Sequence, residues 1–241
     1  MAKKRIKMWK NKKVSVVFAA YNEEKNIKNA IEDFFSTGVV DELIVVDNNS
    51  KDKTAQEAKK TKARLVHEKR QGYGWANRRG LMEAKGYYII TAEPDGTFLG
   101  KDIFKLLAYT DDFDVVFGTR TAKELIWKGA KMNWFLRMGN VFVAKLLEYI
   151  HNGPCLTDVG CTMKLIKRDA LSKIINKFTI GGSSFSPEFM ILAIKNKLRC
   201  VEVPVNYKGR IGQSKITSNF WKAFKLGLVM IALIISYKFR R

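Results

Sequence analysis

Histidine and cysteine are scarce in this chain, with two and three among 241 residues. His67 and His151 stand far apart in sequence, so neither a zinc centre nor a serine-type triad finds its usual partners. Cys155, Cys161 and Cys200 are odd in number and match no metal-ligand spacing. They read as free, reduced thiols, which suits a cytosolic setting better than a secreted one. Acidic residues are also few: 23 Asp and Glu face 44 Lys and Arg, for a net charge of +21. That imbalance implies a polyanionic partner, whether nucleotide phosphates, an anionic membrane surface or nucleic acid. From Val203 to the end there is no acidic residue at all. The basic stretch from Met1 to Lys13 lacks the apolar core of a secretory leader and is expected to form an arm able to meet anionic lipid. Low-complexity linkers and internal repeats are absent as well, which argues for one domain with a C-terminal appendage.

A long hydrophobic run is missing too. The C-terminal uncharged run, Leu226 to Tyr237, has 12 residues. As a helix it spans ~18 Å, short of the ~30 Å hydrocarbon core of a bilayer. Extending it back to Phe220 brings in Lys222 and Lys225. Basic and aromatic residues flank both ends, as at a headgroup layer. An in-plane or partly inserted helix is therefore expected in preference to a full span. A helix packed on the domain and a partner helix in a homo-oligomer are the alternatives.

What is present is a repeated strand–helix rhythm. Val14 to Ala19 is continuously apolar except for Ser15 and reads as a buried strand. A helix is expected from Asn22, a good N-cap, with Glu23 and Glu24 at its positive end and Gly38 after it. Leu43 to Val46 is a second buried strand within Glu42 to Asp47, followed by a helix from Asp52 and a short strand at Arg64 to Val66. A helix from Tyr73 to Lys85 leads into the strand Tyr87 to Ala92, and another strand covers Asp114 to Gly118. The period of about 25 residues argues for a parallel, right-handed α/β sheet. Further on, Lys123 to Ile150 reads as one long aromatic-rich helical stretch. Met163 to Ile166 alternates like a strand of a mixed sheet, Ser186 to Asn196 is helical, and Cys200 to Val205 is the last strand.

The chemistry gathers where these strands stop. The first ends in Ala20-Tyr21-Asn22-Glu23-Glu24 and the second in Asp47-Asn48-Asn49-Ser50. The strand before Glu93 ends in Glu93-Pro94-Asp95, where proline stops the strand and Gly96 turns the chain. In an open α/β sheet, ligands bind at the C-terminal strand edge. Helix N-termini there favour anions, and carboxylates can accept from base N–H groups and ribose hydroxyls. Magnesium or manganese prefers one or two carboxylates plus substrate phosphate oxygens.

The chain resembles the family-2 glycosyltransferases of GT-A (Rossmann-like) fold. The residues that carry the resemblance are VSVVFAAYNEE from Val14, ELIVVDNNSKDKT from Glu42, RQGYGWANRRG from Arg70 and TAEPDGTF from Thr91. GTRT at Gly118, LTDVGCTMKLIKRDAL at Leu156 and RIGQSKI at Arg210 extend it. The later motifs look most like the polyprenyl-phosphate enzymes, the dolichol-phosphate mannose and glucose synthases. The resemblance implies that Ala20, Tyr21, Glu23, Asp47 and Asn49 hold the donor nucleotide, and that Arg70 and the Gly72-Tyr73-Gly74 turn lie along it. Asp95 falls on the last carboxylate of the family's D-x-D metal motif. Glu93 replaces the first Asp with a side chain one methylene longer, and Thr97 stands near the metal.

The resemblance further implies that Arg120, Arg210, Ser214 and Lys215 meet phosphate, and that the loop carrying the last three closes near the diphosphate. Asp158 falls at the acceptor side, as a base for a hydroxyl acceptor or as a positioning group for an already ionised lipid phosphate. Glu188 either lines the site or only starts its helix. The expected domains are a basic arm at 1–13, a catalytic domain at 14–215 and a membrane-associating helix at 216–241. The expected activity is inverting, Mg²⁺- or Mn²⁺-dependent hexosyl transfer from a nucleotide sugar to a polyprenyl phosphate, at the cytoplasmic face of a membrane. A lipid or polysaccharide hydroxyl is the alternative acceptor. A nucleic-acid partner gives no reason for the ordered carboxylates, and a non-catalytic relative is the reading that the Glu93-Pro94 departure keeps open.

Overall fold

The computed structural model describes residues 9–130, 132–210 and 220–240. Three parallel strands form its nucleus: β1 (Val14–Ala20), β2 (Glu42–Asp47) and β4 (Tyr88–Ala92), with β3 (Arg64–His67) outside β2. The seven-stranded sheet has the order β3-β2-β1-β4-β6-β5-β7. β6 (Lys164–Lys167) runs antiparallel to both β4 and β5 (Val115–Thr119), and β7 (Cys200–Pro204) runs parallel to β5. The sheet is thus mixed, as the alternation in Met163 to Ile166 predicts.

The continuous apolar runs have a direct cause: helices cover both faces of the sheet. Along β1, Val14, Val16 and Phe18 point to one core and Val17 to the other. The first core is closed by α1 (Ile27–Ser36), α2 (Thr54–Lys59) and α4 (Ile103–Ala108). The second takes α3 (Tyr73–Glu83), α5 (Trp134–His151), α6 (Arg168–Ile174), α7 (Phe185–Lys195) and α8 (Phe220–Phe239).

Two helix starts differ from the sequence expectation, and the C-terminal helix gains a packing surface. The first helix begins at Ile27, not Asn22. Asn22 adopts a left-handed φ of 58°, and the amides of Glu23 and Glu24 donate to Thr54 Oγ1 and Asp52 Oδ2. Residues 21–26 are therefore a loop: the left-handed backbone of Asn22 turns the chain aside, and the Glu23 and Glu24 amides tie it to the start of α2. The stretch from Lys123 to Ile150 is not one helix. A single 3₁₀ turn at Lys123–Leu125 gives way to a bend through Gly129, whose φ is +91°, and α5 starts afresh after Asn133. Asn133 caps it, its side chain accepting from the Leu136 amide at 2.9 Å. Finally, α8 is 20 residues long and packs on α5 and α7, burying Met230, Ile234 and Tyr237 in the second core. Leu228, Val229, Ile235 and Phe239 on other sides of it stay exposed. No helix among the described residues is long and apolar enough to cross a membrane.

Candidate active site

Parallel pairing brings the polar strand ends together. Ala20 lies beside Asp47 and Phe18 beside Ala92, so the chain leaves β1, β2 and β4 at one edge of the sheet. A cavity of about 840 Å³ opens there. Its polar end is lined by Tyr21, Glu23, Glu93, Asp95, Arg120 and Arg210. Its other wall is apolar and comes from α5 and α8, with Phe142 and Val143 facing Leu228, Met230 and Ile231.

Asp95 sits at the centre of the polar end. It is buried, and its Oδ1 accepts from the Thr97 amide at 3.0 Å and the Thr97 hydroxyl at 2.6 Å. Thr97 therefore orients this carboxylate. Asp95 Oδ2 lies 3.2 Å from Arg210 Nη1, and Arg210 Nη2 pairs with Glu23. Burial raises the Glu23 carboxyl above its ordinary value, against the pull of Asn26 and Arg210. Burial and then the Asp95 charge push Glu93 up to about 8. Like-charged groups drawn this close prefer a cation among them, and the Arg210 guanidinium provides one between Glu23 and Asp95.

The same donor set fits a divalent metal. Among the described residues no three acidic, His or Cys side chains form a self-sufficient metal cage. Asp95 and Glu93 offer two carboxylates, which suits a hard cation that shares its remaining positions with diphosphate oxygens and water.

Arg120, at the end of β5, makes a buried fork on Asp158. Its Nε lies 2.8 Å from Oδ2 and its Nη2 2.9 Å from Oδ1, while the Arg120 amide donates to Oδ2 at 3.0 Å. The Gly160 amide takes Oδ1 at 2.9 Å. Burial opposes the Asp158 charge, but the Arg120 guanidinium outweighs it and holds the carboxyl below its ordinary value. The geometry speaks against Asp158 as a base: both oxygens are engaged, and its proton affinity is lowered. Its place in the structure is to hold Arg120, which lines the cavity. Tyr207 supports the same guanidinium with its ring face, 5.2 Å from centroid to Cζ.

The residues that the resemblance assigns to the nucleotide divide. Tyr21 and Glu23 line the cavity, as does Gly72. Asp47 braces its own loop, accepting from Ser50 N at 3.3 Å and facing His67 Nδ1 at 3.2 Å. Ala20 contributes a carbonyl that accepts from the Asn48 amide. Asn49 reaches the Lys69 carbonyl, and Arg70 is drawn onto Glu68 and the Trp75 ring. Gly74 serves packing rather than ligand contact: a Cβ there would stand 2.1 Å from the Ile180 carbonyl oxygen. Ser214 and Lys215 lie outside the described residues. Glu188 does not line the cavity; it is buried beneath the loop at 179–180.

Two residues at the site had no sequence signal of their own. Asn48 accepts from Gly72 N at 2.7 Å and donates to the Glu68 and Arg70 carbonyls, so it clamps the loop at 68–72. Only its place in the DNNS string could have marked it. Lys164 on β6 is buried, donating to Ser186 Oγ at 2.7 Å and to the Cys161 carbonyl. Burial lowers its pKa to about 8 from 10.5. Between those values the unfolded chain holds a proton that the folded chain has released, so stability from this group rises with pH. Relative to Lys164→Met, the wild-type chain is expected to gain up to about 3 kcal/mol between pH 8 and pH 10.5. Paired denaturant titrations across that range check this, and a pH-independent difference would exclude it.

The profile of Glycosyl transferase family 2 matches residues 15–175. The chain is 30% identical over 206 residues to a dolichyl-phosphate hexose transferase of Haloferax volcanii, covering 84% of this chain and 86% of that one. It is 27% identical to a dolichyl-phosphate beta-glucosyltransferase of Homo sapiens, covering 90% of this chain and 76% of that one. The fold matches glucosyl-3-phosphoglycerate synthase of Mycobacterium tuberculosis, crystallised with Mn²⁺ and UDP. The TM-score is 0.69 at 19% identity, over 95% of this chain and 80% of that one. The mixed sheet is thus GT-A-like, and the chain belongs to glycosyl transferase family 2.

Proposed function

We propose that this protein transfers a hexose from a nucleotide sugar to a polyprenyl phosphate, with inversion at the anomeric carbon. One observation carries the reading: a single cavity joins a polar end of carboxylates and arginines to an apolar wall from α5 and α8. A nucleoside diphosphate suits the first and an isoprenoid chain the second, while Arg120 stands at the cavity wall for a phosphate between them. The dolichyl-phosphate relatives support the same acceptor class.

The engagement of Asp158 agrees with such an acceptor. A phosphate monoester has a second pKa near ~6 and is largely dianionic at neutral pH, so it needs no base. One phosphate oxygen attacks the anomeric carbon in line. The new C–O bond forms as the bond to the donor diphosphate breaks, and its electron pair leaves on the β-phosphate oxygen. Arg210 stabilises that charge, while Arg120, from a fork that Asp158 has already oriented, holds the acceptor phosphate beside it. Arg210 must shift from Glu23 and Asp95 for the donor to meet those carboxylates. Asp95 and Glu93 would hold Mg²⁺ or Mn²⁺, which when bound neutralises the diphosphate as a Lewis acid. Tyr21, Glu23 and the Asn48-clamped loop would bind and orient the nucleotide.

The membrane follows from the substrate. Phe142, Leu228, Val229, Ile235 and Phe239 are exposed apolar residues of α5 and α8, beside the cavity's apolar wall. Lys145, Lys225, Lys238 and Arg240 are exposed on the same two helices or just past them. This suits a peripheral protein on an anionic cytoplasmic leaflet, with the arm at 1–13 adding charge, 14–215 carrying the catalysis and 216–241 the lipid contact.

The test is direct. The protein is incubated with labelled nucleotide sugars, Mg²⁺ or Mn²⁺ and polyprenyl phosphate in vesicles. The expected product is one sugar on the lipid phosphate, cleaved by mild acid. A labelled product joined by a glycosidic bond to a lipid or glycan hydroxyl, resistant to that treatment, would favour the hydroxyl acceptor, and no labelled product from any donor would overturn the proposal.

A further inference from the structure

Glu188 is fully buried at the start of α7 and is surrounded by donors from two different parts of the fold. From one side, the Thr179 amide and hydroxyl each reach its Oε1 at 2.8 Å, and the Ile180 amide reaches Oε2 at 3.0 Å. From the other, the phenol of Tyr237 on α8 donates to Oε1 at 2.5 Å. The Tyr237 hydroxyl also lies 3.1 Å from Thr179 Oγ1.

The loop that Glu188 holds is the support of the donor-side turn. The Gly181 carbonyl accepts from the Gly74 amide at 2.8 Å and from the Trp75 amide at 3.4 Å. These are first-turn amides of α3, which have no partner within their own helix. The surfaces are in tight contact: a Cβ on Gly74 or on Gly181 would overlap the other side at 2.1 Å or 1.9 Å. Gly72 and Tyr73 on one side, and Gly182 and Ser183 on the other, line the cavity. α8 is held at the same end: Lys195 Nζ donates to the Tyr237 carbonyl at 2.6 Å, and His151 Nε2 lies 3.0 Å from the Ile234 carbonyl oxygen.

We infer that Glu188 is a positioning residue that couples the seating of α8 to the shape of the donor-side turn at 72–75. The path is continuous: Tyr237 hydroxyl, Glu188 carboxylate, Thr179 and Ile180 amides, Gly181 carbonyl, Gly74 and Trp75 amides. A charged acceptor holds several donors at once more firmly than a neutral one, so loosening one end relaxes the others. The helix that carries the apolar wall thereby sets the order of the turn that faces the nucleotide. The consequence for donor binding rests on the proposed transferase reading; the coupling itself does not.

Tyr237→Phe removes the hydroxyl and with it the contacts to Glu188 and Thr179, and keeps the ring that packs in the core. Amide hydrogen exchange of the full-length variant is expected to quicken about tenfold at Gly74 and Trp75, with no change at Ala84, which donates to Gly80 at the far end of α3. Glu188→Gln, which turns an N–H group toward a backbone amide, is expected to quicken the same two amides further. The dissociation constant of the metal–nucleotide sugar is expected to rise about fivefold in Tyr237→Phe, beyond any change in Tm. Unchanged exchange at Gly74 and Trp75, or a uniform rise along all of α3, would overturn the coupling. Local quickening in a protein that binds no nucleotide sugar at all would keep the coupling and sink the donor reading instead.

Discussion

Asp95→Ala is expected to lower sugar transfer by about 10²–10³-fold while leaving the fold intact. The magnitude follows from the position: removing one pre-oriented electrostatic group from a catalytic centre costs roughly 10²–10³ in rate. Here the group is also the buried carboxylate that Thr97 fixes with two hydrogen bonds. Folding is spared because Asp95 already lies near two other carboxylates, Glu23 and Glu93, whose charges press on one another. Removing one charge relieves that pressure, which offsets the loss of the two Thr97 hydrogen bonds and of one contact of Arg210, which keeps Glu23. Thr97→Ala tests the orientation separately. Loss of a group that orients a ligand costs about 10–100-fold, so a half-saturating Mg²⁺ or Mn²⁺ concentration raised by that factor is expected. The measurements are label transfer against metal concentration, with Tm alongside. Full activity in Asp95→Ala would remove the carboxylate centre from the mechanism.

Asp158→Asn carries the second large effect, and it falls on stability as well as activity. The Asp158–Arg120 pair is buried and bidentate, with the carboxylate side chain wholly inaccessible. Breaking such a pair by removing one partner costs about 3–5 kcal/mol, because the other charge stays buried without compensation. For a chain of this size that lowers Tm by on the order of 10 °C. The pH dependence has a defined sign. Arg120 holds the Asp158 carboxyl below its ordinary range. Its stabilisation is therefore fully present above the unfolded value near ~4 and is lost as pH falls through the lower folded value. The variant is expected to lose that acid-limb contribution. Arg120→Lys should reproduce much of the defect, since an ammonium cannot make the two-pronged contact. A catalytic base would behave otherwise: Asp158→Asn would abolish turnover at unchanged Tm, and Arg120→Lys would not mimic it.

Much of the framework was legible because it depends on local periodicity. Val14 to Ala19, Leu43 to Val46 and the run before Glu93 are apolar without interruption, which occurs when a strand is covered on both faces. β6 was legible as a strand, and its antiparallel direction fits the mixed sheet. The starts of α1 and α5 were not legible. Asn22-Glu23-Glu24 has the composition of a helix start, but Asn22 turns left-handed and the next two amides go to Thr54 and Asp52 at the start of α2. Asn133 has an equally good cap composition, yet it lies within a sequence whose apolar spacing runs on through it.

The site divides along the same line. The acidic strand ends and their gathering at one edge were readable, since parallel strands in register must deliver their C-termini together. The partners were not. Nothing in the one-dimensional order joins Arg210 to Glu23 and Asp95, Arg120 to Asp158, or Glu188 to Tyr237. Each pair is far apart in sequence, and each is chosen by which side chains share a buried space once the sheet has closed. Asp158 is the sharpest case: a carboxylate in a family motif is free to be a base until a buried guanidinium and two amides take both its oxygens.

The sequence by itself determined the layered α/β architecture, the cationic character and the identity of the carboxylates at the sheet edge. These follow from hydrophobic period, composition and strand termination, which are properties of short segments. The tertiary structure alone decided which carboxylate faces the cavity, which arginine is held and by what, and that α8 shares the core while walling the cavity. Those outcomes depend on desolvation and on hydrogen-bond competition between distant segments, and both exist only after the chain has packed.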